Sequence, residues 1–90
     1  MPYYVYIIQS HRNGSYYKGF SENPILRLQQ HNMGETISTK NLTPWILVYI
    51  EECGSKREAL IREKNLKKAT KERINALIVH PKNILSQFID

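Results

Sequence analysis

The segment Tyr3-Tyr4-Val5-Tyr6-Ile7-Ile8 is aromatic or β-branched at every position, and no other feature constrains the fold so tightly. These residue types favour extended backbone, and successive side chains of a strand point to opposite faces, so a strand here is apolar on both. Both faces need cover. A chain of 90 residues lies near the low end of what one hydrophobic core supports, so the expectation is one compact domain built around this strand.

The remaining elements follow from local signals. Asn13-Gly14 offers the positive backbone angles of a tight turn, and Ser15-Tyr16-Tyr17-Lys18-Gly19 reads as a returning strand, closing a β-hairpin. Asn23-Pro24 opens a helix that runs to about Met33, with Gly34 as its left-handed stop. Glu35 to Thr43 reads as a polar loop, and Trp45 to Ile50 as a third strand, with Cys53 near its end. Ser55-Lys56-Arg57-Glu58 fits a capping box that starts a helix reaching about Ala69. Thr70 caps a further helix that carries Ile74, Leu77 and Ile78 on one face and ends by Pro81, and Ile84, Leu85, Phe88 and Ile89 predict a short docking helix. The order ββαβαα predicts an α+β fold, a small three-stranded antiparallel sheet flanked by helices. Residues 1–82 form the domain and residues 83–90 a helical tail packed on it.

Composition narrows the function. Apolar residues make up 41% and charged residues 23% of the chain, ordinary for a folded domain and unlike disorder. No apolar run is long enough to span a bilayer and the start carries no signal-peptide pattern, so a cytoplasmic protein with no membrane role is expected, taken as a monomer. The single cysteine excludes an internal disulfide. The net charge is +5, and Lys56, Arg57, Arg62, Lys64, Lys67, Lys68, Lys71 and Arg73 place eight of the thirteen cations in one stretch. Such a stretch suits a polyanion, nucleic acid above all, or is simply a solvated helix surface.

One carboxylate stands out. On a helical wheel the neighbours of Glu63 at spacings of three and four are Ala59, Leu60, Leu66 and Lys67, three of them apolar. Glu63 therefore lies in the stripe that ought to face the sheet, where an uncompensated charge costs several kcal/mol. Two compensations are open: an ion pair with Lys67 one turn on, or a hard divalent cation such as Mg2+ or Mn2+, which prefers oxygen ligands and retains several waters. Elsewhere, Tyr6 and Tyr17 come from paired strands. Arg27 and His31 share one face of the first helix, while Ile25 and Leu28 point toward the core. That face is either an exposed polar surface or a site where a guanidinium fork meets phosphate and an imidazole handles protons.

In this order the pieces resemble the GIY-YIG nuclease family. Tyr4-Val5-Tyr6 stands where the family's first motif ends in tyrosine, and Tyr17-Lys18-Gly19 stands at the second. Arg27 falls at the family's helix arginine, His31 at a histidine of several branches, and Glu63 at the metal-binding glutamate. Asn75 falls where a polar residue often supports the site. The likeness spans residues 3 to 79. It departs in lacking the first motif's glycine, in having Lys18 between Tyr17 and Gly19, and in having Phe20 where one branch has a lysine that assists the nucleophile, a role that is vacant or filled by Lys18 or Lys40. The resemblance implies a divalent-metal-dependent endonuclease acting on nucleic acid, DNA ahead of RNA, and the small size of the domain leads to an expectation of low sequence specificity. Within it Tyr6, Tyr17, Arg27, His31 and Glu63 are catalytic, and Glu63 holds one Mg2+ or Mn2+. The eight clustered cations would grip the nucleic acid. The rivals are an inactive nucleic-acid-binding module of the same fold and an interaction domain whose basic patch meets an acidic protein.

Overall fold

A computed structural model of the chain describes residues 2–89. Strands β1 (Tyr3–Ser10), β2 (Tyr16–Ser21) and β3 (Trp45–Cys53) form one antiparallel sheet in the order β2-β1-β3, with helices α1 (Pro24–Asn32), α2 (Lys56–Lys67) and α3 (Lys71–Ile78). The all-apolar strand is central, as its composition predicts: Val5, Tyr6, Ile7 and Ile8 are buried on both faces. Val5 and Ile7 join Tyr49, Ala59, Leu66, Ile74 and Leu77 under α2 and α3. Tyr6 and Ile8 join Trp45 and Ile50 on the other face, covered by Leu28 of α1 and by Ile84, Leu85 and Phe88 from the end of the chain. The sheet is thus the middle of three layers.

The hairpin differs in detail from the expected two-residue turn. Only Gly14 is left-handed, at φ +77°. Ser10 organises the loop, its hydroxyl accepting from the amides of Arg12 and Asn13 at 3.0 and 3.3 Å. Both outer strands run further than predicted, because register with β1 continues through Phe20 to Ser21 in β2 and through the polar residues Glu51 and Glu52 to Cys53 in β3. Asn23 caps α1 by accepting from the Leu26 amide, and Gly34, at φ +77°, lies just past its end as expected. The loop from Glu35 is not featureless, since Lys40–Leu42 make a 3-10 turn.

Helix α2 begins at the capping box, but only half of it has the expected form. Ser55 Oγ accepts from the Glu58 amide, whereas Glu58 reaches past the cap residue and accepts from the Gly54 amide at 2.8 Å. The helix ends at Lys67 rather than Ala69, and Thr70 then caps α3 through the Arg73 amide. The expected C-terminal helix is a single 3-10 turn, Leu85–Gln87, held to the sheet by Ile84 N–H donating to Ile50 O at 2.9 Å. No helix among the described residues is long and apolar enough to cross a membrane.

Candidate active site

The face of α1 that carries Arg27 and His31 turns inward. His31 is fully buried, although its exposed alternative was open on sequence. Its Nε2 lies 2.9 Å from the Tyr6 hydroxyl and its Nδ1 lies 2.9 Å from Thr39 Oγ1. Thr39, at 1% exposure, sits in the segment read as a polar loop and is the residue that sequence reasoning missed. Trp45 fixes it further by donating Nε1–H to the Thr39 carbonyl at 2.9 Å. The signal available in the sequence was indirect: a buried imidazole needs partners for both nitrogens, and the nearest hydroxyls after α1 lie in this loop.

Strand pairing sets the other members. Tyr17 stands opposite Ile8 on the same face of the sheet as Tyr6, and its ring packs edge-on to His31 with centroids 4.8 Å apart. Gly19 pairs directly with Tyr6. There the glycine is required by space, since a Cβ would meet the Tyr6 hydroxyl oxygen at 2.6 Å. Arg27 is half-buried one turn before His31 and donates to Gln30 Oε1 at 2.6 Å.

Electrostatics tie these groups together. Burial raises the Tyr6 phenol above its ordinary value, the neighbouring Arg27 guanidinium pulls it back, and the charges of Tyr17 and Glu63 add to the rise. One phenol therefore senses the charges of Arg27, Tyr17 and Glu63 while touching His31. Burial, with the Arg27 cation beside it, pushes His31 down to about 4, so its imidazole is neutral at pH 7. A neutral, buried imidazole can accept a proton from one neighbour while donating to another.

Glu63 lies on α2, which packs against both β1 and β2, and its charge is felt at the Tyr6 phenol. The wheel is right about its position between Ala59 and Leu66, both buried, but Leu60 is 37% exposed, so the apolar stripe is narrower than expected. The carboxylate is 14% exposed and lies 3.6 Å from the Lys67 ammonium, which is itself 57% exposed. Among the described residues no group of three or more His, Cys, Asp or Glu side chains could hold a metal ion. The donor set is one carboxylate whose ion pair is long and turned to solvent. That suits a hydrated hard cation completed by waters and phosphate oxygens, and excludes an all-protein cage.

Other residues singled out on sequence lie apart. Lys18 pairs with Ile7, so the alternation of β2 sends it to the α2–α3 face, away from Tyr6 and Tyr17, beside Ala69, Lys71 and Ile74. Asn75 is on that face too, its Oδ1 accepting from the Tyr16 hydroxyl at 2.7 Å. Lys40 is exposed on the residue after Thr39. Of the eight clustered cations, Lys56, Arg57, Lys64, Lys67, Lys68, Lys71 and Arg73 are exposed. Arg62 is not free in the same sense: it donates Nε and Nη2 to Glu51 Oε1 at 3.2 and 3.1 Å, and Glu51 also accepts from Tyr49. A groove of about 590 Å³ runs between α2 and α3, lined by Arg62, Asn65, Lys68, Thr70 and Arg73 among others.

The family model for the GIY-YIG catalytic domain matches residues 2–75. The chain belongs to the GIY-YIG family. A UPF0213 protein of Pseudomonas aeruginosa is 36% identical over 76 residues, covering 83% of this chain and 72% of its own length. One from Staphylococcus haemolyticus is 39% identical over 66 residues, 72% of this chain and 79% of that one. The solution structure of the UPF0213 protein BH0048 from Bacillus halodurans superposes with a TM-score of 0.58 at 26% identity, covering 98% of this chain and 94% of that one. The three-stranded sheet with its flanking helices is thus a GIY-YIG-type single domain. Membership in the GIY-YIG family implies nuclease activity on nucleic acid, and GIY-YIG nucleases generally use divalent metal ions.

Proposed function

We propose that this protein is a divalent-metal-dependent endonuclease that hydrolyses phosphodiester bonds in nucleic acid, DNA in preference to RNA, with little sequence specificity. The observation that carries the reading is the buried Tyr6–His31 contact, with Arg27, Tyr17 and Glu63 all acting on the same phenol. Mg2+ or Mn2+, bound at Glu63, supplies positive charge to the scissile phosphate. The protein side chains do the rest. Arg27, whose fork can donate two parallel hydrogen bonds, neutralises the nonbridging oxygens as charge gathers on them. Tyr17, half-buried at the edge strand, steers the proton of the attacking water. His31 and Tyr6 hold that phenol and the water in place, Tyr6 staying protonated because burial raises it.

The exposed cations of α2 and α3 bind phosphates in a sequence-independent way. The test is cleavage of labelled single- and double-stranded DNA and RNA with Mg2+ or Mn2+, wild type against Glu63→Ala. Cleavage confined to the wild type supports the reading, and cleavage that survives the substitution defeats the metal role. One observation favours a second reading, a binding module without turnover: Lys67 lies where it can neutralise Glu63. Binding with no cleavage under any metal condition would establish it.

A further inference from the structure

Imidazole can place its proton on either nitrogen, and only one placement lets Nε2 accept from Tyr6. Tyr6 is buried, at 1% exposure, and His31 Nε2 lies 2.9 Å from its hydroxyl oxygen. If Nε2 carried the proton, the phenol oxygen would receive that N–H beside the Arg27 guanidinium, and its own O–H would have no protein acceptor, a loss that destabilises a buried donor. With the proton on Nδ1 every group is satisfied. Tyr6 donates to Nε2, Nδ1 donates to Thr39 Oγ1 at 2.9 Å, and Thr39 donates to the Thr36 carbonyl at 3.3 Å. Among the described residues no buried side-chain nitrogen or oxygen lacks a hydrogen-bond partner.

We propose that Thr39 is a positioning residue that fixes His31 in the Nδ1-protonated tautomer and so commits the Tyr6 hydroxyl proton to Nε2. The role rests on the nuclease reading only for its consequence. Once the Tyr6 proton points at His31, the lone pairs of its oxygen face Arg27 and the approaching substrate, and the phenol can accept from the attacking water instead of competing to donate to it. Thr39 is itself well placed to be a fixed point: its carbonyl holds the Trp45 indole and its amide donates to Thr36 O at 3.1 Å. Threonine to valine keeps the branched shape and removes only the hydroxyl, leaving both of those backbone contacts possible.

The tautomer is read directly from the nitrogen chemical shifts of His31 in long-range proton–nitrogen NMR spectra of the 15N-labelled full chain at pH 7, assigned by their loss in His31→Gln. The wild type is expected to show a protonated Nδ1 and an unprotonated Nε2. Thr39→Val should move the two shifts toward each other as both tautomers become populated, and Thr39→Ser should restore the wild-type pattern. A wild type with its proton on Nε2 overturns the proposal, as does a folded Thr39→Val whose His31 shifts do not change. Should Thr39→Val fail to fold, Thr39→Ala takes its place, with the same movement of the two shifts expected and an unchanged spectrum overturning the proposal. None of these readouts requires turnover, so they stand whether or not the protein cleaves. If it does, Thr39→Val should lower kcat about tenfold or more with KM unchanged, and Thr39→Ser should recover most of it; an equal loss in both variants would point to a structural role and against the proposal.

Discussion

Gly19 and Tyr6 meet across the β1–β2 ladder so closely that a Cβ on Gly19 would stand 2.6 Å from the Tyr6 hydroxyl oxygen. The phenol cannot swing away freely, because the same oxygen is held at 2.9 Å from buried His31. Gly19→Ala should therefore push Tyr6 off His31 rather than be absorbed by a flexible side chain. Overpacking of this kind costs about 1 to 3 kcal/mol. Urea unfolding should show that destabilisation, and cleavage should fall well beyond what the reduced stability explains. A Gly19→Ala protein as stable and active as wild type would show the contact to be slack.

How much of this was legible in the sequence differs between elements, for physical reasons. The central strand was legible because a run with no polar position leaves no alternative to burial on both faces. The caps at Asn23, Ser55 and Thr70 were legible because capping is local chemistry. Thr39 was not, because a hydroxyl that pairs with a helix residue eight positions back leaves no periodic trace. The inward turn of His31 was equally hidden: Arg27 and His31 share a face whichever way α1 is rotated, and only packing against Tyr6 and Tyr17 fixes the rotation. The partition of the basic stretch was out of reach as well, since Arg62 is tied down by Glu51, a residue of β3 eleven positions earlier.

His31 gives the protein a specific acid sensitivity. Its folded pKa of about 4 lies below the ordinary 6.5, so between those values the unfolded chain binds a proton that the folded chain does not. The stabilising contribution is complete above pH 6.5 and is lost as pH falls toward 4. Its size is on the order of 3 kcal/mol, the shift being good to about one unit. Urea midpoints measured from pH 7 to pH 4.5 should fall for wild type and fall less for His31→Gln. Parallel curves would mean that the imidazole takes up its proton as readily in the folded chain as in the unfolded one.

The basic face should behave as two populations. Lys68 and Arg73 are exposed along the α2–α3 groove, whereas Arg62 is engaged with Glu51. Replacing Lys68 and Arg73 together by Gln should weaken nucleic-acid binding and reduce the slope of log K against log salt by about 2, close to one for each phosphate-binding cation removed. Stability should change little. Arg62→Gln should do the reverse, costing about 1 kcal/mol of stability by stranding the half-buried Glu51 carboxylate while leaving the salt slope nearly unchanged. Fluorescence anisotropy across a salt series, with urea unfolding of the same variants, separates the two effects.

Glu63 and Lys67 offer the sharpest decision, because the ion pair between them is compatible with opposite roles. If the pair exists to neutralise a buried acid, Lys67→Ala leaves that acid exposed to its full cost and destabilises the protein. If the carboxylate is kept for a cation, the pair is incidental, and an exposed contact at spacing four contributes only about 0.3 to 0.5 kcal/mol. The second outcome is expected, since the ammonium is more than half exposed and the contact is 3.6 Å long. Lys67→Ala should then retain cleavage and nearly all stability. Glu63→Gln, which keeps the shape and removes the charge, should reduce cleavage by about 100-fold or more while nucleic-acid binding persists. A Lys67→Ala protein destabilised by more than about 1 kcal/mol, beside a Glu63→Gln protein that is stabilised, would assign the carboxylate to the fold and not to a metal.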